Sequence, residues 1–134
     1  MVRNILAVIA GIVVGSIVNM LLINIDDMII PLPEGLDNTT LEGINAAMPL
    51  MEPKHFIIPF AAHAAGALVG ALVASLIAVS HRFKISMGIG VFFLLGGIAA
   101  VVMINAPLWF EATDLILAYI PMAWLGWKLA GGKS

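Results

Sequence analysis

The chain has 134 residues, of which 62% are apolar and only 10% charged, and it contains no cysteine. A soluble domain has roughly a quarter of its residues charged, so this composition excludes an ordinary water-soluble protein and indicates an integral membrane protein. The lack of cysteine excludes disulfides, thiolate metal sites and thiol redox chemistry. At this length we expect one all-α membrane domain covering residues 1–134.

Four apolar segments predict the helices of that domain. They cover residues 5–25, 56–79, 85–104 and 112–129, and the connection over residues 26–54 is the only long one. At a rise of about 1.5 Å per residue each segment spans roughly 27 to 36 Å, which matches a hydrocarbon core of about 30 Å. The sequence therefore predicts a bundle of four transmembrane helices. The length of the first segment favours a retained anchor over a cleaved secretory signal.

Small residues recur every four positions along the first two segments. Residues four apart lie near one face of a helix, and small side chains let two backbones approach closely. We predict that helix packing depends on six of them, Gly11, Gly15, Ala62, Gly66, Gly70 and Ala74.

The connection over residues 26–54 carries signals for one turn and one short helix. Residues 31–35, Pro-Leu-Pro-Glu-Gly, are typical of a turn. Thr39 and Glu42 have the spacing of a capping box, and a helix started there would end before Pro49. Four apolar residues would share one face of that helix, so we expect it to be interfacial, lying on the outer membrane surface or capping the bundle.

The fourth segment contains a proline in its interior. Pro121 cannot donate a hydrogen bond to the carbonyl of Leu117. The sequence therefore predicts a kink in the fourth helix.

Charge orients the bundle. One side carries all of the lysines and arginines except Lys54, and the other side carries all eight carboxylate side chains. The positive-inside rule then places both termini in the cytoplasm and residues 26–54 outside the cell (inner) membrane. The strength of the bias argues against dual topology.

Five polar side chains are predicted to meet in the outer half of the bundle. Asn19 and His63 lie about six and eight residues from the outer boundary, or roughly 9 and 12 Å deep. Asp114 and Tyr119 enter from the same side, and Asn105 ends the third helix there. An ionisable side chain at such depth is a functional candidate, and an imidazole exchanges protons near neutral pH. These residues predict a proton-responsive or solute-binding pocket.

A purely structural role for His63 is the alternative. A neutral imidazole would then bond Asn19 or a backbone carbonyl and stabilise helix association by about 0.6 to 2 kcal/mol. We predict no catalytic residues, because cysteine is absent and Ser75 lies about 18 Å from His63 along one helix. His55 and His63 are about 12 Å apart along a helix, too far to share an ion, so a metal site would need His55 with loop carboxylates such as Glu52, Asp26 or Asp27, and we predict no metal. Bis-histidine haem would need a second intramembrane histidine, so no cofactor is predicted.

Three stretches of the chain carry a resemblance to a known group of proteins. They are Pro-Leu-Pro-Glu-Gly-Leu-Asp at 31–37, Ala-His-Ala-Ala-Gly-Ala-Leu-Val-Gly at 62–70 and Ala-Trp-Leu-Gly at 123–126. Together they resemble an uncharacterised family of small bacterial four-helix integral membrane proteins. The resemblance covers most of the chain; it implies the four-helix architecture and supplies no activity.

Two functions are compatible with these residues. We expect a structural or accessory membrane subunit that acts through helix–helix contacts, because the small-residue faces exceed what one bundle interior needs. The alternative is an oligomeric small-solute or proton-coupled transporter or channel with its pocket around His63. The expected partners are the lipid bilayer and a second copy or a larger membrane complex; neither enzymatic activity nor nucleic-acid binding is expected.

Overall fold

The computed structural model describes residues 1–31, 35 and 39–134, with Asp27 described by its backbone alone. All regular structure in these residues is helical, which confirms the predicted all-α class. Two 3₁₀ turns, Met48–Leu50 and Pro53–Phe56, precede the second long helix. The α-helices are α1 Val2–Ile29, α2 Leu41–Ala47, α3 Ile57–Ile77, α4 Arg82–Met103, α5 Leu108–Leu117 and α6 Ile120–Leu129. The turn predicted at 31–35 falls largely outside the described residues.

Four segments of the described chain are long and apolar enough to cross a membrane. They are Val2–Asp26, Pro53–Ile77, Arg82–Met103 and Leu108–Leu129. Each overlaps one of the four apolar segments found in the sequence, in the same order. The described residues thus form an all-helical structure with four long apolar helical segments.

The first helix begins earlier than the apolar pattern predicts, because polar side chains tie its first turn to the connection between α3 and α4. The guanidinium Nε of Arg3 donates a hydrogen bond of 2.8 Å to the carbonyl of Ile77. The amide of Asn4 donates to Ser80 at 2.9 Å and accepts from the backbone N–H of Val79 at 3.0 Å. These bonds pair backbone groups at the end of α3 and just after it with side chains of α1, and such pairing is not visible in an apolar pattern.

The closest helix contact joins α1 to α3 through paired glycines. A Cβ placed on Gly11 would lie 2.7 Å from the carbonyl oxygen of Gly70, and one placed on Gly70 would lie 2.8 Å from that of Gly11. Gly15 and Gly66 form a second pair of the same kind, at 2.6 and 2.9 Å. Because the paired numbers run in opposite directions, the two helices are antiparallel and their backbones touch directly.

Small residues fill the interior and large apolar residues cover the outside. Leu95 on α4 and Ile116 on α5 are 60% and 66% exposed, and similar side chains cover α1 and α6. This arrangement reverses that of a soluble bundle, in which large apolar side chains are buried. Fully buried positions include Ala7, Ala62, Ala67, Ala71, Ala74, Ala118 and Ala123.

Helix α3 lies at the centre and contacts α1, α4 and α6. The hydroxyl of Ser86 on α4 donates to the carbonyl of Ala71 at 3.3 Å. Gly126 on α6 sits against the backbone of α3, where a Cβ would meet the carbonyl of Leu68. The same face of α6 meets α4, where a Cβ on Gly90 would lie 2.7 Å from that of Ala123.

The fourth apolar segment is broken into α5 and α6 at Ala118 and Tyr119. The N–H of Ala118 still bonds the carbonyl of Asp114 at 2.9 Å, and the regular pattern resumes with Ala123 bonding the carbonyl of Tyr119 at 2.8 Å. Pro121 stands in the first turn of α6, where its missing N–H costs little. The sequence predicts a kink in one helix with Pro121 in its interior, whereas the segment divides into two helices and Pro121 lies near the start of the second.

Helix α2 forms where the sequence predicts a short helix, but its cap differs. The residue that caps it is Thr40, whose hydroxyl accepts from the N–H of Gly43 at 3.0 Å. Glu42 therefore stands in the first turn rather than at the third position of a capping box begun by Thr39. Thr39 and Thr40 are both candidate N-caps. The spacing to Glu42 predicts Thr39, and this prediction is wrong by one residue.

Candidate functional site

The carboxylate of Asp114 is the centre of a polar cluster inside the bundle. Its Oδ1 lies 2.8 Å from Nδ1 of His63, and its Oδ2 accepts a hydrogen bond of 3.1 Å from the hydroxyl of Tyr119. Asp114 is only 5% exposed, so the two contacts satisfy a carboxylate that has little access to solvent. With its proton on Nδ1, the imidazole donates to the carboxylate and the contact is an ion pair when His63 is charged.

The break between α5 and α6 positions Tyr119. This residue stands between the two helices, and its ring stacks on the His63 imidazole with centroids 5.9 Å apart at an angle of 24°. Its hydroxyl end lies against Gly97 of α4, where a Cβ would come within 2.6 Å of the hydroxyl oxygen. A glycine at 97 is therefore required for the ring to reach Asp114.

A cavity of about 280 Å³, here called the large cavity, adjoins this cluster. Among the described residues, its polar lining consists of His63 and the three acidic residues Asp26, Glu111 and Asp114. Helix α2 and the turn after it form one wall. The apolar lining includes Ile23, Ile44, Met48, Met51, Phe56, Val101, Ile104 and Phe110.

A second cavity of about 210 Å³, the small cavity, is also lined by His63. Asn19 of α1, Phe93 of α4 and Tyr119 line it, and it shares His63, Gly97 and Ala100 with the large cavity. The side-chain oxygen Oδ1 of Asn19 is buried and accepts no hydrogen bond from the described part of the chain. His63 thus stands at the boundary between a cavity lined by carboxylates and one that contains a buried amide.

The structure brings together four of the five residues predicted for the polar pocket. His63, Asp114 and Tyr119 contact one another, and Asn19 lines the small cavity beside His63 and Tyr119. Asn105 is exposed in the connection between α4 and α5, and its backbone N–H donates to the side chain of Asn45 at 2.8 Å. The contacts of His63 also differ from its structural alternative, because its partner is a carboxylate rather than Asn19 or a backbone carbonyl.

Three contributors to the site, Gly97, Met48 and Met51, were not assigned from the sequence. A Cβ on Gly97 would meet the ring of Tyr119, whereas a Cβ on the neighbouring Gly96 would have open space around it. Only the position of Tyr119 distinguishes these two glycines. Met48 and Met51 line the large cavity although they stand in a connection rather than in an apolar segment. Within the described residues no three His, Asp or Glu side chains converge in a way that would hold a metal ion.

The predicted packing residues all contribute to contacts within the chain. The four glycines form the α1–α3 contact, and Ala62 and Ala74 of α3 are fully buried. The small-residue faces, from which the sequence predicts association with a partner, are therefore largely covered by contacts within one chain.

Comparison of the chain with models of protein families, with curated proteins and with solved structures found no match. The resemblance to small four-helix bacterial membrane proteins stays a prediction.

Proposed function

We propose that this protein is a multi-pass protein of the cell (inner) membrane that binds a small solute between its helices and works as a small-solute or proton-coupled transporter or channel. The observation that carries the proposal is the pair of His63 and Asp114 at the boundary of the two cavities. Charged side chains inside an apolar bundle are costly, so membrane proteins place them on substrate and proton pathways.

The distribution of apolar surface supports placement in a membrane. Large aliphatic side chains are exposed on all four long segments, and contiguous apolar surface of this extent is avoided by soluble monomers. Arg3 and Arg82 lie at one end of the bundle, where both bond carbonyls at the end of α3. We place that end in the cytoplasm and the end that carries α2 outside, in keeping with the positive-inside rule.

The pair supplies a proton-dependent connection between the cavities. A charged imidazole is held by Asp114 through an ion pair, whereas a neutral one makes only a weaker hydrogen bond. Loss of the proton therefore favours separation of His63 from Asp114 and opening between the large and small cavities. A solute that binds better to one arrangement shifts the population toward it.

The absence of cysteine makes accessibility a direct test of the pathway. We would introduce Ala100→Cys, which lies at the boundary of both cavities, and compare it with Ala71→Cys in the fully buried core. A small membrane-impermeant thiol reagent added to the outer side should modify the first variant and leave the second unmodified. Equal protection of both positions in the folded protein would contradict an outward-open pocket.

Proton movement is tested separately in vesicles. The pH outside dye-loaded proteoliposomes is lowered and the internal pH is followed. The interior should acidify faster than that of dye-loaded vesicles without the protein, and His63→Ala should abolish the difference. A rate unchanged by His63→Ala would contradict coupling through this side chain.

A second candidate function is a structural or accessory subunit that associates with a second copy or a larger complex through helix contacts. The observation that favours it is α4, where Gly88 and Gly96 are exposed with open space around them. Small exposed residues permit close approach of another helix. Native mass spectrometry should then show an oligomer or complex that Gly88→Ile disperses, while Val102→Ile at an exposed position of the same helix does not.

A further inference from the structure

We infer that the solute of the large cavity is a small organic cation with an apolar body. The inference rests on the proposed function, because it names the chemical class of the ligand for the same pocket. Three properties of the lining support it: its charge, its apolar and aromatic walls, and its size.

Carboxyl groups outnumber bases among the described residues that line the large cavity. Asp26, Glu111 and Asp114 contribute three carboxylates, and His63 contributes at most one positive charge. None of the described lining residues is a lysine or an arginine. In surroundings of low dielectric constant such a lining attracts a cation and repels an anion.

The two oxygens of Asp114 are occupied by His63 and Tyr119. Glu111 also lines the large cavity and is partly exposed, so it provides a carboxylate that can pair with a ligand. A ligand cation paired with Glu111 leaves the contact between His63 and Asp114 intact. This arrangement separates ligand binding from the proton-dependent step at the boundary between the cavities.

The walls favour an organic rather than an inorganic cation. A hard metal ion requires six or more oxygen ligands, whereas most of this lining is aliphatic or aromatic. Phe56 and Phe110 both line the cavity and pack on each other with ring centroids 4.7 Å apart, so one wall offers aromatic surface to the apolar body of a ligand. Met48 and Met51 add flexible thioether surface that adapts to an apolar body.

The volume limits the size of the ligand. At about 280 Å³ the large cavity lies at the lower end of ligand pockets, which run from roughly 300 to 1,000 Å³. A single aromatic ring with a small ammonium group fits such a space. Larger amphipathic cations would have to displace α2.

Three probes of nearly the same shape and different charge test the inference. Trimethylphenylammonium is cationic, tert-butylbenzene is neutral and benzenesulfonate is anionic. We would measure equilibrium binding of each to the full chain in nanodiscs, subtracting empty nanodiscs, and read occupancy of the cavity as slower thiol modification of the Ala100→Cys protein. The cation should bind at least tenfold more tightly than either of the others.

A matched pair of variants ties that preference to the lining. Glu111→Gln removes a carboxylate from the large cavity and should weaken binding of trimethylphenylammonium about tenfold. Glu42→Gln removes an exposed carboxylate of α2 that does not line the cavity, and should change the affinity less than twofold.

The outcomes separate this inference from the proposed function. If the neutral or the anionic probe protects the thiol of the Ala100→Cys protein as well as or better than the cation, the cation inference is overturned and a solute pocket is retained. Equal effects of the two glutamine variants also overturn it. If none of the three probes binds, the inference is also overturned. Modification of the Ala100→Cys protein in the absence of any probe then still tests whether the pocket is open.

Discussion

Nδ1 of His63 lies 2.8 Å from Oδ1 of Asp114, although the two residues are 51 positions apart in the chain. The contact joins the central helix α3 to the end of α5, just before the break that Pro121 permits. Tyr119 uses the second oxygen of the same carboxylate. One buried side chain thereby fixes the relative positions of α3, α5 and the start of α6.

Asp114→Asn tests this role with almost no change of shape. The amide keeps one acceptor oxygen but presents an NH₂ group to His63 or Tyr119, so one of these donors loses its partner. We expect the free energy of unfolding to fall by about 1–3 kcal/mol, measured by titrating detergent-solubilised protein with denaturing detergent and following helix content.

Glu111→Gln is the control for this variant, because it makes the same chemical change at a partly exposed position of the same helix. Its effect should stay below about 0.5 kcal/mol. If the two variants unfold alike, Asp114 does not organise the three helices.

Tyr119→Phe separates the hydrogen bond from the packing of the ring. The phenyl ring can still stack on His63 and fill the space beside Gly97, but Oδ2 of Asp114 loses its donor. The expected loss is about 1 kcal/mol of unfolding free energy, with proton flux in vesicles altered in its pH profile because Asp114 is then held by His63 alone. An unchanged pH profile together with unchanged stability would show that the hydroxyl serves neither role.

Gly15→Ala should disrupt the contact between α1 and α3. The added Cβ would lie 2.6 Å from the carbonyl oxygen of Gly66 and 2.8 Å from the ring of Phe93, and the backbone atom cannot move without shifting a helix. Overpacking of this kind costs roughly 1–3 kcal/mol. The melting temperature in detergent reports the loss.

Gly88→Ala is the matched control for that variant, since Gly88 is also helical and has open space around it. Alanine is the better helix former, so this change should be neutral or stabilise by up to about 1 kcal/mol. The pairing of glycines described above is wrong if Gly15→Ala is as stable as Gly88→Ala.

The helices and the break in the fourth segment follow from local features of the sequence. Apolar length gives the four segments, and the geometry of Pro121 gives the break between α5 and α6. The meeting of His63, Asp114 and Tyr119 was predicted because residues that enter from the same boundary at similar depth share a layer of the bundle. Depth is a one-dimensional property that a sequence supplies directly.

Contacts that depend on rotation of one helix about its axis were harder to predict. Asn105 has the right depth but stands after the end of α4, where Ile104 has left the helix, and it is exposed at the surface rather than joined to the cluster. Gly97 rather than Gly96 meets Tyr119 because a step of one residue turns a helix by about 100°. Which of two adjacent glycines is needed depends on a neighbouring helix that the sequence does not position.

The side chain of Asn45 holds α2 against the end of α4. Its Nδ2 donates to the carbonyl of Met103 at 3.1 Å, and its Oδ1 accepts from the N–H of Asn105 at 2.8 Å. Both partners are backbone groups at the helix end, which would otherwise have no helical partner. Since α2 forms one wall of the large cavity, these bonds hold that wall against the end of α4.

Asn45→Ala should therefore loosen α2 without unfolding the bundle. We expect amide hydrogen exchange over residues 41–47 to accelerate by about tenfold, the equivalent of losing roughly 1.4 kcal/mol from two exposed hydrogen bonds, while exchange in α3 stays unchanged. Asn105→Ala is the control, because Asn105 contributes its backbone N–H to the contact and keeps it in the variant. Faster exchange in both variants would mean that the connection after α4, rather than the side chain of Asn45, holds α2; faster exchange in neither would mean that α2 is held by its apolar contacts alone.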